Sequence, residues 1–173
     1  MKINLERQRA GSRDSQEFYF DIPGNDGYLK ELGGKYRDNL EVKGLVEKSG
    51  EHYLLRGQVK TALELQCSRC LERFYYPVAV QFHLNLVESK YQAEYSRDED
   101  VVFFSSDEAE IQPYIEGLVF SAIPLIPLCR PDCKGLCQQC GINRNLVQCQ
   151  CRDENTDPRW DKLKNLKAGK EVT

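Results

Sequence analysis

Residues 53–86 read YLLRGQVKTALELQCSRCLERFYYPVAVQFHLNL, and the alternation within this stretch decides the fold. Before the Cys67-Ser-Arg-Cys70 step, Tyr53, Leu55, Val59, Leu63 and Leu65 fall on one face with Gly57 and Thr61 between them. Arg56, Gln58, Lys60 and Glu64 fall on the other. After the step, Phe74, Tyr76, Val78, Val80, Phe82, Leu84 and Leu86 keep the same two-residue period. Successive side chains of a β-strand point to opposite faces, so alternation this long marks strands with one dry and one wet side. Upstream, Leu40, Val42 and Val46 alternate with polar neighbours before Lys48-Ser49-Gly50 turns the chain. Residues 39–88 are therefore expected to form an antiparallel meander whose second and third strands join through the Cys-x-x-Cys.

Working outward, residues 1–38 mix strand-like pieces, Ile3 to Leu5 and Phe18 to Ile22, with turn signals at Pro23-Gly24-Asn25-Asp26-Gly27 and Gly33-Gly34. Gly33-Gly34-Lys35 has the look of a phosphate-loop fragment, but it lacks a preceding buried strand and the full spacing, and reads as a turn. Val101 to Phe104 is a candidate short strand, and Asp98-Glu99-Asp100 beside it reads as a solvated acidic loop rather than a catalytic carboxylate pair. From Ile111 to Ile123, the apolar residues Ile111, Tyr114, Ile115, Leu118, Val119, Ala122 and Ile123 follow a helical stripe. Pro113 is tolerated in its first turn, and Pro124 and Pro127 stop it. This helix is expected to cover the dry face of the sheet. Asp157-Pro158 resembles a helix start, with Trp160, Leu163 and Leu166 at three-residue steps and Gly169 as the stop.

The expected class is thus α+β: an antiparallel β-meander covered by a helix, with a cysteine-rich zinc-binding C-terminal segment. Residues 1–128 would form the sheet and its covering helix. Residues 129–173 would form the metal-binding segment, with a terminal helix packed on it. At 173 residues the chain suits one ordinary domain with a small appendage. Hydrophobic residues at 40% and charged residues at 29% are near globular averages, which excludes disorder throughout.

Net charge is −3, but it is unevenly spread. Residues 129–173 carry nine Lys and Arg against six Asp and Glu, net +3, leaving 15 against 21, net −6, for residues 1–128. Contact with nucleic acid is therefore expected from local patches, chiefly the C-terminal segment and Arg7, Arg9 and Arg13. No apolar run reaches the roughly 18 to 20 residues that cross a bilayer, and the first residues lack a signal-peptide core, so a cytoplasmic protein without membrane contact is expected.

Eight cysteines under a reducing cytosolic poise point to metal or redox chemistry before disulfides. They run Cys67-x2-Cys70, then after 58 intervening residues Cys129-x3-Cys133-x3-Cys137-x2-Cys140-x8-Cys149-x-Cys151. Eight thiols suit two tetrahedral four-thiolate zinc sites, and each Cys-x-x-Cys turn offers two ligands from one tight loop. Cys137-Gln-Gln-Cys140-Gly141 has the form of a zinc knuckle, and its nearest partners are Cys149 and Cys151. Cys67 and Cys70 are left for Cys129 and Cys133, a pairing that rests on arithmetic and would clamp the C-terminal segment onto the sheet. Other readings of the thiols are an exchanging redox pair at Cys67 and Cys70, disulfides, and an iron–sulfur cluster, the last without a ferredoxin-type run of Cys-x2-Cys steps.

A catalytic zinc needs an open position and a nearby acid or base, and the sequence offers neither a His-Glu-x-x-His nor a deaminase-type histidine. His52 and His83 read as ordinary strand positions. No catalytic residue is assigned, no small-molecule substrate is expected, and the expectation is a protein that is not an enzyme.

Taken together, these residues resemble the YceD family, the large ribosomal RNA subunit accumulation proteins. The resemblance rests on Leu65-Gln-Cys-Ser-Arg-Cys-Leu71, on the run from Pro124 through Cys129, Cys133, Cys137 and Cys140 to Asn143, and on Cys149-Gln-Cys151 with Asp157-Pro-Arg-Trp160. It implies an intracellular factor linked to accumulation of large-subunit ribosomal RNA. Its expected partners are that RNA or ribosomal assembly proteins, met through Arg130, Lys134, Arg144, Arg152, Arg159, Lys162, Lys164 and Lys167. A thiol redox protein using Cys67 and Cys70, or a zinc-stabilised protein–protein adaptor, are the competing functional expectations.

Overall fold

Strands dominate the computed structural model, which describes residues 1–6, 15–95 and 100–151. The helix expected over residues 157–169, and the cations Arg7, Arg9, Arg13, Arg152, Arg159, Lys162, Lys164 and Lys167, lie outside the described residues. The strands are β1 (Lys2–Asn4), β2 (Gln16–Ile22), β3 (Lys35–Tyr36), β4 (Leu40–Ser49), β5 (His52–Gln66), β6 (Arg73–Glu88), β7 (Val101–Phe104) and β8 (Glu108–Glu110). Among the described residues are the α-helices α1 (Gln92–Tyr95) and α2 (Gln112–Ser121).

The main sheet runs β2-β4-β5-β6-β7, and β3 pairs with β5 beyond the end of β4. It is open, with β2 and β7 at its edges. The meander expected over residues 39–88 is its centre: β4 pairs β5 from Ser49↔His52 to Glu41↔Lys60, and β5 pairs β6 from Gln66↔Arg73 to His52↔Val87, all antiparallel. The period-2 pattern sets this register, because a slip of one residue would turn every apolar side chain to water. Leu55, Val59, Leu63 and Leu65 are buried together with Leu40, Val42, Val46, Leu84 and Leu86.

Val101 to Phe104 does form a strand, but it runs parallel to β6, Asn85↔Val101 through Glu88↔Phe104. A parallel neighbour needs a crossover of about a dozen residues, and residues 89–100, with α1 among them, supply it.

Gly44 and Gly57 face each other across β4 and β5. A Cβ on Gly57 would lie 2.6 Å from the Lys43 carbonyl oxygen and 2.7 Å from the Phe82 ring, while one on Gly44 would run into the Arg56 carbonyl and the Phe18 ring. The aromatic rings of β2 and β6 thus close over a point where the sheet has no side chains of its own.

Helix α2 lies on the dry face, as its stripe predicts. Ile115 and Val119 are fully buried, and Tyr114 and Leu118 pack against the same core. Its start is held by the N-terminus: β1 pairs β8 antiparallel, and the Met1 amino group donates to Gln112 Oε1 at 2.9 Å. Gln112 Nε2 donates to Glu116 Oε1 at 2.9 Å, and the Asn25 N–H reaches the same oxygen at 3.2 Å. Glu116, 3% exposed, is buried with these partners, which is what a buried carboxylate requires. No helix among the described residues is long and apolar enough to cross a membrane.

Candidate metal centres

Both Cys-x-x-Cys turns fold by the same hydrogen bonds. In the first, Leu71 N–H donates to the Cys67 carbonyl at 3.0 Å and Cys67 N–H to the Glu72 carbonyl at 2.9 Å. In the second, Gly141 N–H donates to the Cys137 carbonyl at 2.9 Å and Cys137 N–H to the Ile142 carbonyl at 2.8 Å. The residue after the second cysteine is left-handed in each, Leu71 with φ 61° and Gly141 with φ 73°. This geometry aims the turn's N–H groups at the first sulfur and puts both thiols on one side. Gly141 fills that conformation freely, whereas Leu71 does so against its Cβ.

The two turns differ in what carries them. The first caps the β5–β6 hairpin. The second hangs on one antiparallel bridge, Leu136↔Asn143.

The structure gathers the eight sulfurs into two groups of four. The sulfurs of Cys67, Cys70, Cys129 and Cys133 lie within 4.8 Å of one another, as do those of Cys137, Cys140, Cys149 and Cys151. In the first group Cys67 Sγ lies 3.7 Å from Cys133 Sγ, and Cys70 Sγ 3.7 Å from Cys129 Sγ. All eight are free thiols. Tetrahedral zinc with Zn–S near 2.3 Å needs sulfurs about 3.8 Å apart, so the spacing fits a four-thiolate ion. Each cluster could hold one metal ion.

Electrostatics favour the same reading. Burial alone would raise the Cys67 thiol, but N–H groups of Cys129, Cys70 and Arg69 outweigh it and bring the thiol down to about 6. The N–H groups of Cys140 and Gln139 hold Cys137 at about 6. Cys129 is pushed up to about 12 by burial and then by its neighbouring thiols. Cys151 is pushed up to about 12 by the Cys140 sulfur and then by burial. Each cluster thus welcomes a first thiolate and resists the last, and a divalent cation removes that conflict.

Three residues that spacing does not single out brace the first cluster. Asn145 Nδ2 donates to Cys133 Sγ at 3.3 Å while its Oδ1 accepts from the Lys134 N–H at 2.8 Å. Arg69 Nη1 donates to the Cys133 carbonyl at 3.0 Å, and the Arg69 carbonyl accepts from Leu136 N–H at 3.1 Å. Ser68 N–H reaches the Pro127 carbonyl at 2.9 Å. Asn145 belongs in sequence to the second cluster's loop, so these bonds knit the two clusters together.

The second cluster is open. Cys140 and Cys151 are exposed, and Lys134, Cys137, Arg144, Val147, Gln148, Cys149 and Cys151 line a cleft of about 310 Å³ beside it. Of the other expected cations, Arg130 lies 3.7 Å from Asp132. Neither histidine joins a metal-type group among the described residues.

The family described as large ribosomal RNA subunit accumulation protein YceD matches residues 55–167. An uncharacterised protein of Mycobacterium tuberculosis strain H37Rv is 34% identical over 129 residues, covering 72% of this chain and 60% of that protein. The chloroplastic large ribosomal RNA subunit accumulation protein YCED homolog 1 of Zea mays is 28% identical over 183 residues, covering 87% of this chain and 62% of that protein. Its Arabidopsis thaliana counterpart is 29% identical over 161 residues, covering 76% and 50%. The chain therefore spans between half and two thirds of the length of these relatives. No solved structure matches it. With the match running over most of the hairpin, α2 and both cysteine clusters, the chain belongs to the YceD family.

Proposed function

We propose that this chain is a non-enzymatic factor for accumulation, maturation or stability of large-subunit (23S-type) ribosomal RNA, acting by binding RNA or ribosomal assembly partners in the cytoplasm. The observation that carries this reading is the reach of the family match, residues 55–167, which takes in all eight cysteines. The maize and Arabidopsis relatives that share the match are named for ribosomal RNA accumulation.

In this reading each sulfur group binds one zinc, with Cys67, Cys70, Cys129 and Cys133 around one ion and Cys137, Cys140, Cys149 and Cys151 around the other. The zinc is structural: four thiolates leave no open position for a reacting group. The first ion ties the body, residues 1–128, to the segment 129–173. Rigid docking surfaces then lose less conformational entropy on meeting a partner.

The test is depletion of the protein from its own cells, with the ratio of large- to small-subunit ribosomal RNA as readout. The ratio should fall and be restored by the intact gene but not by Cys133→Ser. An unchanged ratio on depletion overturns the proposal.

One observation favours a second reading, a thiol redox protein: Cys67 is held at about 6, a value suited to an exchanging thiolate. Against it, Cys67 Sγ lies 3.7 Å from Cys133 Sγ within a four-sulfur group and does not face Cys70 alone. About two zinc per chain with all eight thiols shielded from alkylation supports the structural reading. Metal-free protein with a reversibly oxidised Cys67–Cys70 pair supports the other.

A further inference from the structure

We infer that the outer face of the sheet, where β3, β5 and β6 meet, is a binding site for single-stranded RNA, with Lys35, Arg37 and Arg73 holding phosphates and the Tyr75 ring stacking on a base. The inference rests on the RNA branch of the proposed function and gives it a location, in the body of the protein and not in its basic C-terminal segment.

Three cations converge there on one carboxylate. Lys35 Nζ lies 3.3 Å from Glu64 Oε1, Arg73 Nη1 lies 2.8 Å from the same oxygen, and Arg37 Nη1 lies 3.8 Å from Oε2. Glu64 is only 20% exposed, whereas the Arg37 and Arg73 side chains are 62% and 60% exposed. The carboxylate is thus an inner anchor that fixes three outward charges it cannot neutralise. Asp38 accepts the Tyr75 hydroxyl at 3.1 Å, and with it counted, Lys35, Arg37 and Arg73 still outnumber Glu64 and Asp38. This is an island of positive charge on a body whose residues 1–128 sum to −6.

The aromatic partner is in place. Tyr75 pairs directly with Glu64 across β5 and β6 and is 59% exposed. Its bond to Asp38 fixes the ring's direction, so stacking does not have to order it. Arg37, Glu64, Arg73, Phe74 and Tyr75 line one cleft of about 240 Å³. Beyond it, Ala62 pairs Pro77 and Lys60 pairs Ala79. Lys60 lies on the same face four residues from Glu64, about 13 Å along the strand, but faces Glu41 of β4, so the positive charge is concentrated at the Glu64 end. Cations beside an exposed ring are the pattern that holds single strands, whose unpaired bases present a π-face; a duplex hides those faces.

The test is fluorescence anisotropy of the zinc-loaded full chain with a labelled 12-nucleotide oligouridylate, and with an RNA duplex of equal length. The single strand should bind more tightly than the duplex. Arg37→Gln with Arg73→Gln should lower affinity at least tenfold and flatten its dependence on salt by two phosphate contacts. Tyr75→Ala should lower affinity about tenfold, and Tyr75→Phe should restore most of it, since stacking needs only the ring. Ultraviolet crosslinking of the wild-type complex should mark Tyr75 and needs no variant to fold. Binding kept by the sheet variants and lost by Lys134→Gln with Arg144→Gln overturns the site while leaving the RNA reading intact. Failure of the wild-type chain to bind either RNA overturns both.

Discussion

The two cysteine clusters share a turn and differ in everything around it. In the first, Cys67, Cys70 and Cys133 are buried and Cys129 is half-buried; in the second, only Cys137 is buried. The first cluster caps fifteen residue pairs of the β5–β6 hairpin, while the second has one bridge behind it. Local sequence therefore makes the knuckle, and tertiary support decides how hard it is to open. The first cluster joins the β5–β6 turn to the chain that follows α2, and the second lies wholly within that later stretch.

The largest effect should come from cutting one ligand in each. Cys133→Ser leaves a buried site short of a sulfur and should lower the melting temperature by about 10 °C or more. Cys140→Ser should shift it by no more than about 4 °C, because that exposed cluster supports little of the core. Equal shifts in the two variants would break the comparison. Next, a chelator followed by a thiol-alkylating reagent should act in two phases, with Cys140 and Cys151 labelled before Cys67 and Cys70 in peptide mapping.

Asn145→Ala removes a donor from Cys133 Sγ and an acceptor from the Lys134 N–H, and should cost about 1 to 2 kcal/mol in denaturant unfolding. A change confined to metal release from the second cluster would show that Asn145 does not join the two. A finer contrast uses the left-handed residue of each turn. Gly141→Ala meets open space and should cost about 1 kcal/mol from backbone strain alone, whereas Leu71→Gly should gain a similar amount.

The gentlest probe is pH applied to the metal-free protein. Cys67 and Cys137 are held at about 6 against an ordinary thiol value of 9.0. Their thiolates stabilise the fold fully above 9.0 and lose that contribution as pH falls through about 6. Cys129 and Cys151, pushed up to about 12, act oppositely: their contribution is intact below 9.0 and lost as pH rises through about 12. Stability should therefore climb from pH 6 to 9 and decline above it, and a flat profile would remove the electrostatic basis of the comparison.

The centre of the sheet was legible because alternation persists across β4, β5 and β6, and α2 because its stripe spans three turns. The direction of β7 was not, since four apolar residues in a row carry no period and parallel pairing depends on the crossover before them. β1 and β8 were too short to announce that they pair. At the cysteines, spacing suggested the grouping of sulfurs, but Asn145 and Arg69 act through hydrogen bonds that no spacing encodes. Leu71 was hidden for a related reason: a leucine gives no hint of a left-handed backbone. The cluster around Glu64 escaped because Lys35, Arg37 and Arg73 meet only through strand register, whereas the net positive stretch of the sequence lies at the C-terminus.

One consequence of the first cluster concerns time. Its two halves are separated by 58 residues of chain, whereas the second quartet lies within fifteen consecutive residues. At a synthesis rate of about 5 to 20 residues per second, Cys67 and Cys70 leave the translating ribosome roughly 3 to 12 s before Cys129 can reach them. During that interval the nascent hairpin presents a half-filled thiol pair, open to any stray ion or oxidant, and the second quartet closes almost as soon as it is made.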